Sequence, residues 1–179
     1  TTDADECTSS ASIGTPTTAD NCGVASVDVD NAGPYSVGTT TVTWTVTDNN
    51  GNMATCSQDV VVTDDENPTV TCPATANISM DAGLCTSSAN IGTPTTDDNC
   101  GVASIDVDNA GPYSVGTTTV IWTVTDNSGN TANCTQNVVV TDDEDPTISG
   151  CPSDINVTPA SSDCTPVVTW NIPQADDNC

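Results

Sequence analysis

One stretch of this chain is written almost twice. Residues 7–70 return as 85–148 with 53 of 64 positions identical. The cysteines keep the same step: Cys7, Cys85 and Cys164; Cys22, Cys100 and Cys179; Cys56 and Cys134; Cys72 and Cys151. A period of 78 or 79 residues is too long for one turn of a solenoid and suits a small sandwich domain with its own cysteines. The chain therefore reads as a tandem array. Its units fall at 1–63 (first strand missing), 64–141 (complete) and 142–179 (first two strands only). Thr1 aligns with Ser79 and Cys179 with Cys22, both mid-unit, so the expectation is a window of about two and a quarter units from something longer.

Charge narrows the class. Lys, Arg and His are absent against 25 Asp plus Glu, a formal charge of −25. Nothing here can neutralise phosphates, so nucleic acid is excluded as a partner, and an anionic membrane surface repels the chain. Lys-dependent isopeptide links are impossible. Self-repulsion of this size disfavours a compact state unless a cation is bound. Catalysis finds no His or Lys to act as a base, and Glu6, Glu66 and Glu144 fall in turns. Acids repeated in every unit point to structure, so the chain is read as a non-enzyme.

Ten cysteines, no Phe, three Trp and two Tyr imply small cores of Val, Ile and Ala around one or two aromatics. Domains of about 80 residues built this way usually need disulfides or metal ions as reinforcement. The cysteine usage indicates an oxidising, extracytoplasmic setting. No apolar run reaches the roughly 18 residues of a membrane span.

Within the complete unit, 69–80 reads as a first strand and 85–94 as a second, with 95–101 as a loop. Residues 102–108 alternate with Ala103, Ile105 and Val107 facing inward. Residues 117–126 place Val120, Trp122 and Val124 on one face, 127–130 form a tight hairpin, and 131–143 are the last strand. Short alternating runs rich in Thr and Val, broken by Gly, Pro, Asn and Asp, predict an all-β fold of antiparallel sandwich domains. Trp44, Trp122 and Trp170 are expected to anchor cores.

The runs DDEDPTISGCPSDINVTPASSDCTPVVTW (142–170), DDNCGVASIDV (97–107) and GPYSVGTTTVIWTVTDNSGNTANCTQNVVV (111–140) resemble the hyalin repeat, or HYR, domain. The shared motifs are an Asp-rich linker followed by Pro, Cys-Pro, Asp-Asn-Cys and Gly-Asn-x-x-Cys, and the resemblance covers the whole chain. It implies tandem immunoglobulin-like modules with an adhesive or scaffolding role in extracellular proteins. The third unit departs most from the other two.

In such a sandwich the loop before the third strand and the hairpin before the last lie at one end. That pairs Cys100 with Cys134 and Cys22 with Cys56. Cys72 with Cys85 and Cys151 with Cys164 would follow, leaving Cys7 and Cys179 to partners elsewhere. A rival scheme joins 7 with 22, 56 with 72, 85 with 100, 134 with 151 and 164 with 179. It asks Cys85 and Cys100 to meet across a full strand.

Acidic residues gather in three places per unit. The linkers carry Asp64, Asp65, Glu66 and Asn67 before Pro68, then Asp142, Asp143, Glu144 and Asp145 before Pro146. The loop before the third strand carries Asp97, Asp98 and Asn99, matched by Asp20 and by Asp176, Asp177 and Asn178. The last hairpin carries Asp126, Asn127 and Asn130, matched by Asp48. Converging hard oxygen donors without a cation of the chain's own are what Ca²⁺ requires, so these residues are the candidate metal ligands. Asp and Asn also favour turns for their own sake, which is the competing explanation.

Asn77, Asn133 and Asn156 lie in Asn-x-Ser/Thr sequons and are candidate glycosylation sites. The combined expectation is a secreted or cell-surface structural protein that polymerises with copies of itself, with glycans as further partners. Its joints would be stiffened by Ca²⁺ and its domains stapled by disulfides. The alternative is the stalk of a bacterial surface adhesin holding a distal binding domain.

Overall fold

The computed structural model describes residues 1–158 and 167–179. It is all-β, with no helix among the described residues, and of the immunoglobulin-like sandwich class. The first repeat supplies β1 (Thr8–Ser9), β2 (Val24–Val29), β3 (Tyr35–Ser36), β4 (Gly38–Asp48) and β5 (Met53–Val62). The second supplies β6 (Thr69–Thr71), β7 (Ala76–Ser79), β8 (Thr86–Ser87), β9 (Thr95–Asp97), β10 (Val102–Val107), β11 (Tyr113–Ser114), β12 (Gly116–Asp126) and β13 (Thr131–Thr141). β14 (Thr147–Ser149) and β15 (Gln174–Asp176) follow.

The larger sheets run β2-β4-β5 and β10-β12-β13-β7, and short pairs join β1 to β3, β6 to β9, β8 to β11 and β14 to β15. All described pairings are antiparallel except β13 with β7, which runs parallel from Val138↔Ala76 to Thr141↔Ser79. The described chain forms two compact units. One holds 1–72, 93–108 and 121–135; the other holds 73–92, 109–120 and 136–179.

In the first unit, Tyr35, Val42 and Val62 form a buried cluster flanked by Ile13, Val29 and Val60. β4 forms because Thr and Val, whose branched side chains suit a pleated surface, alternate along it, so Val42 and Trp44 turn inward together. The Trp44 indole N–H donates to Gln58 Oε1 at 3.0 Å, and Gln58 Nε2 donates to the Ile13 carbonyl at 3.2 Å, so the ring's polar edge is satisfied. Truncating Trp44→Ala removes ring and bond together and is expected to cost about 3–5 kcal/mol, read by urea unfolding. A loss below about 1 kcal/mol would mean the ring is not a core anchor.

In the second unit, Tyr113, Val120, Val138 and Val140 are buried. Gln136 is buried with them, and its Nε2 donates to the Ala74 and Ile91 carbonyls at 3.0 and 2.8 Å.

Several sequence expectations change here. β10 keeps the expected face only in part: Val107 is half-buried opposite Trp122, and Ile105, opposite Val124, is 40% exposed, while Ala103 is exposed. A bulge between Val102 and Ser104 shifts the register against β12, so Val102, paired with Asp126, is half-buried in place of Ala103. The stretch 95–101 is not all loop, since β9 pairs with β6. Only Thr86–Ser87 of the proposed strand 85–94 is extended in a ladder. Trp170 is 63% exposed rather than a core anchor. By the repeat it falls at the position of Ile13 and Ile91, not of Trp44 and Trp122, and it lies in no described strand.

The disulfides are Cys7–Cys100, Cys72–Cys134 and Cys85–Cys179. The expected bonds Cys22–Cys56, Cys100–Cys134 and Cys72–Cys85 are therefore not the ones made, and the rival scheme's pairs are absent among the described residues. Cys22, Cys56 and Cys151 are unpaired and exposed. Cys164 lies outside the described residues, and with it the expected Cys151–Cys164 bond. The reasons are geometric. Cys72 and Cys85 sit on either side of β7, an extended segment that carries the chain away from itself. Cys100 precedes β10, which pairs with β12 and not with β13, where Cys134 lies.

Candidate metal centre

The hairpin after β12 is built around one carboxylate. Asp126 Oδ1 accepts from the amides of Ser128 and Asn130, both at 2.8 Å, and its Oδ2 accepts from Asn130 Nδ2 at 2.8 Å. Burial pushes the Asp126 carboxyl up. The Asn130 side chain and amide, with the amides of Ser128 and Gly129, outweigh that and hold it below the ordinary value of 3.8. Asp48 repeats the arrangement with Asn50 and Asn52, and its carboxyl is likewise lowered, first by the Asn52 side chain. These Asp residues stand ionised at neutral pH and held rigidly.

The linker brings a second carboxylate to the same place. Asp64 is only 8% exposed; its Oδ2 accepts from Ser128 Oγ at 3.0 Å, and its carbonyl accepts from Asn130 Nδ2 at 3.3 Å. The third comes from the loop before β10. Asp98 Oδ2 accepts from the Cys100 amide at 2.9 Å, whereas its Oδ1 is buried with no hydrogen-bond partner. One carboxylate oxygen from each of Asp64, Asp98 and Asp126 lies within 4.8 Å of the other two.

Asn127 and Gly101 hold this loop. Asn127 Nδ2 donates to the Cys100 carbonyl at 2.9 Å and its amide donates to the Gly101 carbonyl at 3.0 Å. Gly101 has φ +93°, and a Cβ there would stand 3.0 Å from Asn127 Nδ2, so both backbone and space require glycine.

The donor set fits a hard divalent cation. Every donor is an oxygen, and oxygens bound to one Ca²⁺ at 2.3–2.6 Å lie within about 5 Å of one another. Without a cation, each pair of these carboxylates repels by about 3 kcal/mol at an effective dielectric constant near 20. The chain has no Lys, Arg or His to relieve this. Asp98 Oδ1 is a buried acceptor left without a donor.

Beside the triad, Asp5, Glu66, Asn67, Asp97, Asp98 and Asn99 line a cleft of about 300 Å³. One period later Gly83, Glu144, Asp145, Asp176, Asp177 and Asn178 line another of about 270 Å³, position for position. Asn99 Oδ1 and Asn178 Oδ1 are both buried without a partner. Their Nδ2 groups donate to the equivalent carbonyls of Glu6 and Leu84, at 3.0 and 3.2 Å. The same polar cleft is thus made twice.

The other candidate ligands fall outside the triad. Asp65 is exposed. Asp142 accepts from the Glu144 amide and Asp143 from Ser79 Oγ. Asp20 and Asp48 share a small groove with Asn52 without a third carboxylate among the described residues. Asn77, Asn133 and Asn156 are all exposed. Two contributors escaped the sequence reading, Ser128 and Asp5. Ser128 replaces Asn50 of the first repeat and gave no acidic signal, while Asp5 corresponds to Gly83.

The HYR domain family model matches residues 1–62 and 63–140. The chain belongs to the HYR domain family. It is 34% identical over 174 residues to "Hyalin" of Strongylocentrotus purpuratus, covering 90% of this chain and 14% of that protein. It is 36% identical over 146 residues to "Hyalin" of Lytechinus variegatus, covering 75% of this chain and 28% of that one. The chain thus spans less than a third of either relative. Membership places it among extracellular, adhesion-type repeat proteins. The three disulfides suit that oxidising setting. No helix among the described residues is long and apolar enough to cross a membrane.

Proposed function

We propose that this HYR chain is a segment of a stiff secreted rod or filament, whose consecutive repeats are stiffened by Ca²⁺ and tied by disulfides. The observation that carries the reading is the Asp64–Asp98–Asp126 triad with its unpartnered Asp98 oxygen. Linker, inter-strand loop and hairpin each contribute one carboxylate, so an ion held there would fix the entry of the chain into its repeat. Extracellular sites of this type bind at roughly 10⁻⁴ to 10⁻³ M, which keeps them loaded outside cells and empty in chelator. Near-identical repeats also favour self-association, because a lateral contact open to one is open to the next.

Electron microscopy of the chain in calcium and in EGTA tests this. Straight particles in calcium that bend in EGTA are expected. Equal bending in both would overturn the calcium-stiffened rod. Isolated single-chain rods at every concentration would favour the adhesin-stalk reading over a filament.

A further inference from the structure

The disulfides follow one translation rule. Cys7 bonds Cys100 and Cys85 bonds Cys179, the same two repeat positions, with the second cysteine always taken from the next repeat. Cys72 bonds Cys134 inside the stretch 63–140. Cys22, Cys56 and Cys151 have no partner, yet none stands at an unbonded position. Cys22 occupies the position of Cys100 and Cys179, Cys56 that of Cys134, and Cys151 that of Cys72.

Their surroundings are already shaped for the bond. The Cys22 amide donates to Asp20 Oδ1 at 2.7 Å, and its carbonyl accepts from Asn49 Nδ2 at 3.0 Å. Asp98 and Asn127 hold the bonded Cys100 in the same way, both at 2.9 Å. Cys56 is the fourth residue of β5, as the bonded Cys134 is the fourth of β13. Although Cys22 and Cys56 belong to one repeat, they do not close on each other.

We propose that Cys22, Cys56 and Cys151 are attachment thiols for flanking repeats of this same kind, each making the disulfide that its repeat position makes inside the chain. Cys22 would join the Cys7 position of a preceding repeat, and Cys56 the Cys72 position just ahead of its own repeat. Cys151 would join the Cys134 position of the strand that follows it. The inference rests on the repeat membership and not on calcium. Each bond breaks two S–H bonds and forms one S–S bond. Two protons and two electrons pass to a disulfide oxidant, which becomes two thiols. The flanking repeat can belong to the same polypeptide or to another copy.

The test compares this chain with one extended by a second copy of residues 1–78 placed ahead of Thr1, which preserves the period. Both are oxidised in a glutathione buffer, alkylated, and cut with an Asp/Glu-specific protease, since no Lys or Arg is present. In the parent chain the three described disulfides and alkylated Cys22, Cys56 and Cys151 are expected. In the extended chain Cys22 and Cys56 should lose the label and appear linked to the added Cys7 and Cys72, with Cys151 still labelled. The internal Cys7–Cys100 and Cys85–Cys179 bonds report whether either chain has folded. A Cys22–Cys56 bond in either chain overturns the proposal, as does full labelling of both in a folded extended chain. On a non-reducing gel, a single-chain band carrying the new links supports tandem partners. A ladder carrying them that collapses on reduction supports partners in other copies.

Discussion

Calcium at about 10 mM is expected to raise the melting temperature of this chain by roughly 5–10 °C, and Asp98→Asn to remove most of that rise. For a dissociation constant near 10⁻⁴ M, binding to the folded state alone stabilises by about 2.7 kcal/mol, and each kcal/mol moves a chain of this length by roughly 2–4 °C. The substitution separates a metal ligand from a turn residue because the two predict opposite signs. In EGTA, Asp98→Asn relieves repulsion from Asp64 and Asp126 while keeping an oxygen for the Cys100 amide. It should then melt at the parent temperature or above it. In calcium it should melt below the parent. A variant that is equally destabilised in both conditions would show Asp98 to be a loop-forming residue and remove the case for an ion. Asp126→Asn is the poorer test, since that carboxylate also builds its hairpin.

Replacing Cys72 and Cys134 together by Ser should cost about 4 kcal/mol, from the closure entropy of a loop of 62 residues. The matched control, Cys22→Ser with Cys56→Ser, should leave the unfolding midpoint of this chain unchanged, because both thiols are exposed and unpaired. Urea denaturation of the two variants reads the contrast. Equal losses would mean that the first repeat carries a bond of its own. No loss from the first pair would mean that the second repeat is held by packing alone.

What the sequence makes legible follows a simple division. Features set by neighbours a few residues apart could be read: the inward stripe of Val120, Trp122 and Val124, and the hairpin at Asp126 that repeats at Asp48. The acids that meet at the candidate centre could also be named, because turn chemistry and charge both select them. Long-range choices could not. Cys7 reaches Cys100 across 93 residues, and nothing near either cysteine specifies the other. The bulge between Val102 and Ser104 takes Ala103 out of the expected inward face, while Ile105 and Val107 keep theirs opposite Val124 and Trp122. Trp170 shares its residue type with Trp44 but not its place in the period.

The overlap of the loops closed by Cys7–Cys100 and Cys85–Cys179 has one more consequence. Every peptide bond between Cys7 and Cys179 lies inside at least one of these closed rings. A protease that severs the backbone once anywhere in that span leaves both fragments tethered, so damage to this material stays silent until a reductant arrives.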